Sequence, residues 1–311
     1  MIRRDILPDI WPDSWVISDA PQELHLAPSQ QLSLVLCPEA DIPPFQLSTD
    51  AGYTLLTSDF NHLQIHLAQG ANLRLYRLQG MATPAQQLTH TTLLLDSDAH
   101  ASIATITLGG QHVRNNIIVR LQGEGASLDA GGLYLLDRDQ QCDNYIFVEH
   151  AAPHGTSNEL YKGILDDSAR ARFNGHVLVQ EGAVKTDARQ TNRHILLTSK
   201  AHADARPFLE IYNDDVKCSH GSTTGQLDPD ALFYLQTRGI TRRSAITMLS
   251  YAFCDEVIRR IQIPALREAV SDMVKKRLHG ELSTPCDECA IQCSSPCNGE
   301  NASFHIDPSK L

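Results

Sequence analysis

From about Asn61 to Tyr212 the chain alternates: short apolar runs, several with every second residue hydrophobic, are separated by clusters of Gly, Asn, Asp and Ser. Leu63, Ile65 and Leu67 stand two apart, as do Leu73 and Leu75 and then Ile117, Val119 and Leu121; further runs recur around 133–136, 145–148 and 177–179. A period of two marks a strand with one buried face. The runs follow one another mostly at intervals of about ten to fifteen residues, and no amphipathic helix interrupts them. Signals for two-residue hairpins are few. Asn174-Gly175 is the clear type I′ candidate, with Gly109-Gly110 and Gly131-Gly132 weaker. A meander of tight hairpins is therefore disfavoured. A β-sandwich and a parallel β-helix of stacked coils remain, and the spacing leans toward the second.

After Cys218 the period lengthens. Asp228 and Pro229 read as N-cap and first residue of a helix, with Ala231, Leu232 and Leu235 on one face and Gly239 closing it. A second helix from about Thr241 carries Ala245, Leu249, Ala252, Phe253, Glu256, Val257 and Ile261 at helical spacing. Pro264 interrupts, and Leu266, Val270, Met273, Val274 and Leu278 make a third. The expected organisation is a short N-terminal segment over residues 1–60, a β body over 61–227, a helical domain over 228–282 and a cysteine-rich tail over 283–311.

Composition narrows the function. With 42% hydrophobic and 20% charged residues in 311, the chain can bury a real core, which excludes disorder of the whole. A net charge of −11 repels phosphate backbones and anionic lipid, and no local basic patch offsets it, so nucleic-acid and membrane partners are set aside. Arg3 and Arg4 precede Pro8 and Pro12 with no apolar h-region, and no run of apolar residues is long enough to span a bilayer; a cytoplasmic protein is expected.

Phosphate-loop, G-x-S-x-G and H-E-x-x-H signatures are missing, and Gly123-Glu124-Gly125 does not continue into a dinucleotide fingerprint, so the generic enzyme signals fail. A carbohydrate-active β-helix enzyme could use the acids Asp166, Asp167, Asp214 and Asp215, although adjacent acids usually sit in solvated turns. Cys218-Ser219-His220-Gly221 is the most suggestive internal group. On a strand the thiol and the imidazole share a face, offering two ligands suited to iron or zinc, with the remainder supplied from elsewhere in the fold or by another subunit. The plainer reading is a structural cysteine beside a hydrogen-bonded histidine. In the tail, Cys286, Cys289, Cys293 and Cys297 lie close enough to close on one soft metal or cluster. Their spacing is neither a ferredoxin run nor a zinc ribbon, and a reduced tail without ligand is the alternative.

From Arg114 onward the chain resembles the SufB/SufD family of the Suf iron-sulfur cluster assembly system. The resemblance is carried by Gly123-Glu124-Gly125-Ala126, Gly132-Leu133-Tyr134, Asp143-Asn144, His150, Leu160-Tyr161-Lys162-Gly163-Ile164, Phe173-Asn174-Gly175 and the run from Lys185 to Gln190. It is strongest from Leu209 to Gly221 and continues through Gly225-Gln226-Leu227-Asp228 and Ala231 to Leu235 as far as Ile240. Gly221, where the SufB branch usually carries Glu, is similar to the SufD form. The resemblance implies a right-handed parallel β-helix with a C-terminal helical domain, no catalysis by this chain alone, and pairing with SufB. It also implies docking of the SufC ATPase through helices that here carry Leu232, Leu235, Leu249, Phe253 and Val257. It assigns His220 to a nascent iron-sulfur cluster shared transiently with SufB at the junction, with Cys218 in a lesser role. ATP enters only through SufC. A homodimer and a flavin are left open, and the cysteine tail has no counterpart in the family pattern.

Overall fold

The computed structural model describes residues 22–36, 54–56, 61–80 and 84–279. Every strand in it pairs in parallel. In chain order these are β1 (Gln22–Leu26), β2 (Gln31–Leu36), β3 (Thr54–Leu56), β4 (His62–Leu67), β5 (Asn72–Gln79), β6 (Gln86–Leu95), β7 (His100–Thr107) and β8 (His112–Leu121). They continue with β9 (Ser127–Leu136), β10 (Gln141–His150), β11 (Thr156–Leu165), β12 (Arg170–Val179), β13 (Asp187–Leu196), β14 (His202–Ile211) and β15 (Lys217–Gly225). From β4 onward consecutive strands fall in alternate sheets. One sheet is ordered β1-β4-β6-β8-β10-β12-β14 and the other β15-β13-β11-β9-β7-β5-β2-β3. The chain is a β-solenoid, which decides against the sandwich.

The sheets begin earlier than the alternation from Asn61 onward suggests. β1 pairs with β4, and β2 with β5, so strands reach back into the stretch read as a short N-terminal segment. Their period is there in the sequence, Leu24 and Leu26 and then Leu32, Leu34 and Leu36 standing two apart between Pro21, Pro28 and Pro38.

Within a strand, one set of alternate residues faces the space between the sheets. Leu128, Ala130, Tyr134 and Leu136 of β9 join Ile117, Val119, Ile146, Val148 and Phe173 in one buried cluster that runs along the axis. Two of the glycine pairs read as turns lie inside strands: Asn174-Gly175 in β12 and Gly131-Gly132 in β9. Their glycines admit close neighbours instead. A Cβ on Gly132 would lie 2.2 Å from the Tyr161 ring, so the missing side chain of one coil is the seat for the ring of the next.

The corners repeat as strictly as the strands. Ser29, Gly70, Asp98, Gly125, His154 and Lys185 all adopt positive φ at one corner. The N–H of each donates to the carbonyl on the following coil: Ser29 to Gln69, Gly70 to Ser97, Asp98 to Glu124, Gly125 to Pro153, His154 to Val184, and Lys185 to Asp215. Four of these residues are not glycine, and each left-handed conformation costs about 1 kcal/mol or more, offset by a corner that closes its backbone ladder.

The expected helices form as α1 (Pro229–Thr237), α2 (Arg242–Ile258) and α3 (Pro264–His279), with Asp228 and Thr241 capping the first two and Gly239 following α1 at φ +83°. Helices α2 and α3 lie against the outer face of the β15-to-β3 sheet, where Ile246, Val257, Ile258, Leu266, Val270 and Leu278 bury against Tyr76, Ile106, Leu133, Leu135 and Ile164. Polar bolts pin them. Arg277 donates to Asp137 at 2.9 Å with both side chains almost fully buried, Arg260 meets Asp129, and Lys162 donates to Glu256 and to the Phe253 carbonyl.

Two outcomes are expected from this packing. Arg277→Met leaves the buried Asp137 carboxylate with only the exposed Arg138, 3.6 Å away, and should cost about 3 kcal/mol in denaturant titrations, whereas Asp137→Leu/Arg277→Met should recover most of that loss. Glu159, fully buried in the solenoid, has its carboxyl pushed up by burial to about 8 from an ordinary 4.5. The folded chain then keeps a proton that the unfolded chain releases, so stability should fall by about 1.4 kcal/mol per pH unit between those values. Glu159→Gln should remove that slope and make the protein more stable than the wild type above pH 8, as read from melts across pH.

Candidate functional site at the open end of the solenoid

Among the described residues each interior strand has two neighbours, but β14 pairs only with β12 and β15 only with β13. The last coil therefore presents two unpaired strand edges and the open mouth of the lumen. Its side chains are dressed for contact. Phe208 is 56% exposed, Tyr212 56% and Ile211 41%, the largest exposed apolar groups outside the helices among the described residues, apart from Val184 at 37%. On the outer face of β14, Phe208 ends a stack in which its ring meets His176 at 4.8 Å and His176 meets Phe147 at 5.0 Å.

β15 carries the Cys-Ser-His-Gly motif. Its register sets Cys218 beside Ala188, His220 beside Gln190 and Gly221 beside Thr191. Ala188 and Gln190 are buried on the luminal side, so Cys218 and His220 also face the lumen, His220 at its exposed rim. Cys218 is half-buried beside Val177, Leu209 and Val216, part of the apolar lining at this end. Burial pushes its thiol up, opposed by a hydrogen bond with the Ala188 backbone. Gly221 faces outward with nothing within 4 Å of where a Cβ would stand. Its missing side chain is thus not required by this chain's own packing.

Cys218 and His220 are brought onto one luminal edge, two ligands without a third: among the described residues no group of three or more His, Cys, Asp or Glu could hold a metal ion. Cys286, Cys289, Cys293 and Cys297 lie outside the described residues. Asp166 and Asp167 sit in the turn after β11 and Asp214 and Asp215 in the turn after β14, on opposite corners of the coil, so these acids do not form a facing pair for glycoside chemistry. Nor do the helices present the expected side chains outward. Val257 is fully buried and Phe253 packs over Lys162, so both are used in holding α2 to the sheet. Leu232 also leans on that cluster, and Leu235 and Leu249 are only partly exposed. The open apolar surface of the helical part belongs to Phe233 and Tyr234 of α1, at 68% and 58% exposure. Both lie within the α1 sequence, but helical spacing alone assigned the inward face to docking and passed over the outward one. No helix among the described residues is long and apolar enough to cross a membrane.

A family model described as SUF system FeS cluster assembly, SufBD core domain, matches residues 50–253. The iron-sulfur cluster assembly protein SufD of Escherichia coli strain K12 is 37% identical over 216 residues, covering 70% of this chain and 51% of that protein. An iron-sulfur cluster assembly SufBD family protein of Synechocystis sp. strain PCC 6803 is 32% identical over 220 residues, 70% of this chain and 49% of that protein. SufD of Bacillus subtilis strain 168 is 31% identical over 161 residues, 51% of this chain and 36% of that protein. The chain spans about half the length, or less, of these relatives.

Proposed function

This chain belongs to the SufBD family of iron-sulfur cluster assembly proteins, and from that premise we propose that it is a non-enzymatic, SufD-type subunit of the assembly complex. Its last coil joins the last coil of a SufB subunit, strand edge to strand edge, and its helical region docks the SufC ATPase. The observation that carries this reading is the end coil: among the described residues, its edges are unpaired, Phe208, Ile211 and Tyr212 are exposed, and His220 stands at the luminal rim with too few ligands beside it. An edge strand that displays apolar residues invites another chain to continue the sheet. A second subunit closing on it brings further ligands to His220, and a nascent iron-sulfur cluster is the transient cargo held between the two. ATP acts only through SufC. Its closure displaces the helices, which are bolted to β9 and β11 through Arg260, Arg277 and Lys162, so that the junction shifts with them.

Co-expression with SufB and SufC should yield a stable complex; a folded chain that captures neither sinks the proposal. His220→Ala in that complex should lower cluster accumulation roughly tenfold without changing the melting temperature, because an exposed edge side chain contributes little to the fold. Phe233→Ser/Tyr234→Ser should release SufC while leaving SufB bound, read by size-exclusion chromatography.

A further inference from the structure

Behind His220 the lumen holds a polar column that the proposed function does not use. Register runs Glu159, Gln190, His220 on three successive strands of one sheet, all on the luminal side. Glu159 and Gln190 are almost wholly buried. Gln190 Nε2 donates to Glu159 Oε2 at 2.8 Å, so one end of the amide is committed inward. The other end, Gln190 Oε1, is buried and meets no donor. The amide cannot wander to find one. A Cβ on Gly175, across the lumen in β12, would lie 2.4 Å from Gln190 Nε2 and 2.5 Å from its Oε1, so the amide fills the notch that this glycine leaves. The next rung toward the mouth, about 4.8 Å on, is His220, whose ring makes no hydrogen bond among the described residues.

We infer that Gln190, held by Glu159 and seated against Gly175, is a positioning residue for His220: its orphaned Oε1 accepts the N–H of the imidazole and so fixes which ring nitrogen is left with a free lone pair. An acceptor oxygen behind a ligating histidine is the usual means of setting tautomer and ring direction, and one with no other partner favours the contact more strongly than a solvated one. The consequence is directional. With the protonated nitrogen turned into the solenoid, the basic nitrogen faces the mouth, where an incoming metal ion or cluster stands. The inference rests on His220 being a ligand, but the property it assigns, the ring's tautomer, is measurable without any cargo.

The test is nitrogen NMR of the full chain labelled at histidine, with the His220 signals assigned by their loss in His220→Ala. In the wild type above the titration range, one ring nitrogen of His220 should report as protonated and the other as free. In Gln190→Met both should move to averaged positions, as for an imidazole in water. The exchange Glu159→Gln/Gln190→Glu conserves volume and the buried hydrogen bond while keeping an acceptor behind the ring, and it should restore the single tautomer. Should Gln190→Met not fold, the exchanged pair carries the test: the same ring nitrogen must stay protonated as in the wild type, and an averaged or reversed tautomer overturns the inference. A His220 that is already averaged in the wild type, or that is unaltered by Gln190→Met, overturns the inference. Cluster accumulation in the complex is scored separately: a tenfold loss in Gln190→Met with recovery in the exchanged pair supports the positioning role. An unchanged yield in His220→Ala defeats the ligand reading and leaves the tautomer result standing.

Discussion

Parallel pairing leaves each strand with half of its backbone groups served by the coil before and half by the coil after, so a solenoid can be complete everywhere except at its ends. Here that constraint falls on β14 and β15. Each corner of the series from Ser29 to Lys185 hands its N–H to the next coil, and Lys185 donating to Asp215 is the last of them among the described residues. The unpaired edge is partly guarded: Pro207 in the middle of β14 offers no donor, and β15 opens with exposed Lys217. The same edge nevertheless displays Phe208, Ile211 and Tyr212. Guarding against indiscriminate pairing while exposing large apolar side chains is what a surface reserved for one chosen partner requires.

The two sheets meet their surroundings differently. The middle of the β15-to-β3 sheet, from β5 to β11, is buried on both faces, inward by the luminal core and outward by α2 and α3. The opposite sheet carries on its outer face a column of alternating charge, in which Asp143 lies 3.4 Å from Arg114 and 3.9 Å from Arg172, and Arg172 lies 3.9 Å from Asp204. In parallel register like charges would otherwise stack one above another, so alternation from coil to coil is what makes the column tolerable. The helices are therefore tied rigidly to one wall, at Asp129, Asp137 and Lys162 in the middle of the stack, while α1 follows directly on β15 at the end of it. A force on the helices reaches interior coils through buried ion pairs and reaches the last coil through the chain itself.

Much of this was legible in the sequence. The alternation of Leu63, Ile65 and Leu67, or of Ile117, Val119 and Leu121, states a strand and its buried face, and Asp228-Pro229 with Gly239 brackets α1 as the structure does. The motif at Cys218 and His220 was visible because two residues apart on a strand means one face. What escaped detection depended on non-local contact. Gly132 and Gly175 read as turn residues because a local window cannot see Tyr161 or Gln190 arriving from other coils. The repeating corner was hidden because its left-handed residue is Ser, Gly, Asp, His or Lys, a conformation shared without a shared side chain. Val257 read as a docking residue since helical spacing tells which residues share a face but not what that face meets. Glu159 and Gln190 drew no attention because register across three strands, not spacing along one, joins them.

On the proposed reading, in which a second subunit completes the site, the unequal character of the two candidate ligands sets the order in which they bind. Cys218 sits among Val177, Leu209 and Val216, and the burial that pushes its thiol up keeps it protonated, whereas a soft metal binds the thiolate. Binding there must expel a proton into an apolar pocket, which is unfavourable until a cation is already held nearby. His220 stands exposed at the rim, so a ligand reaches it without entering that apolar pocket. The order that follows is imidazole first and thiol, if at all, only after further ligands have closed over the mouth and fixed the charge. The end coil by itself, among the described residues, is then a poor metal trap.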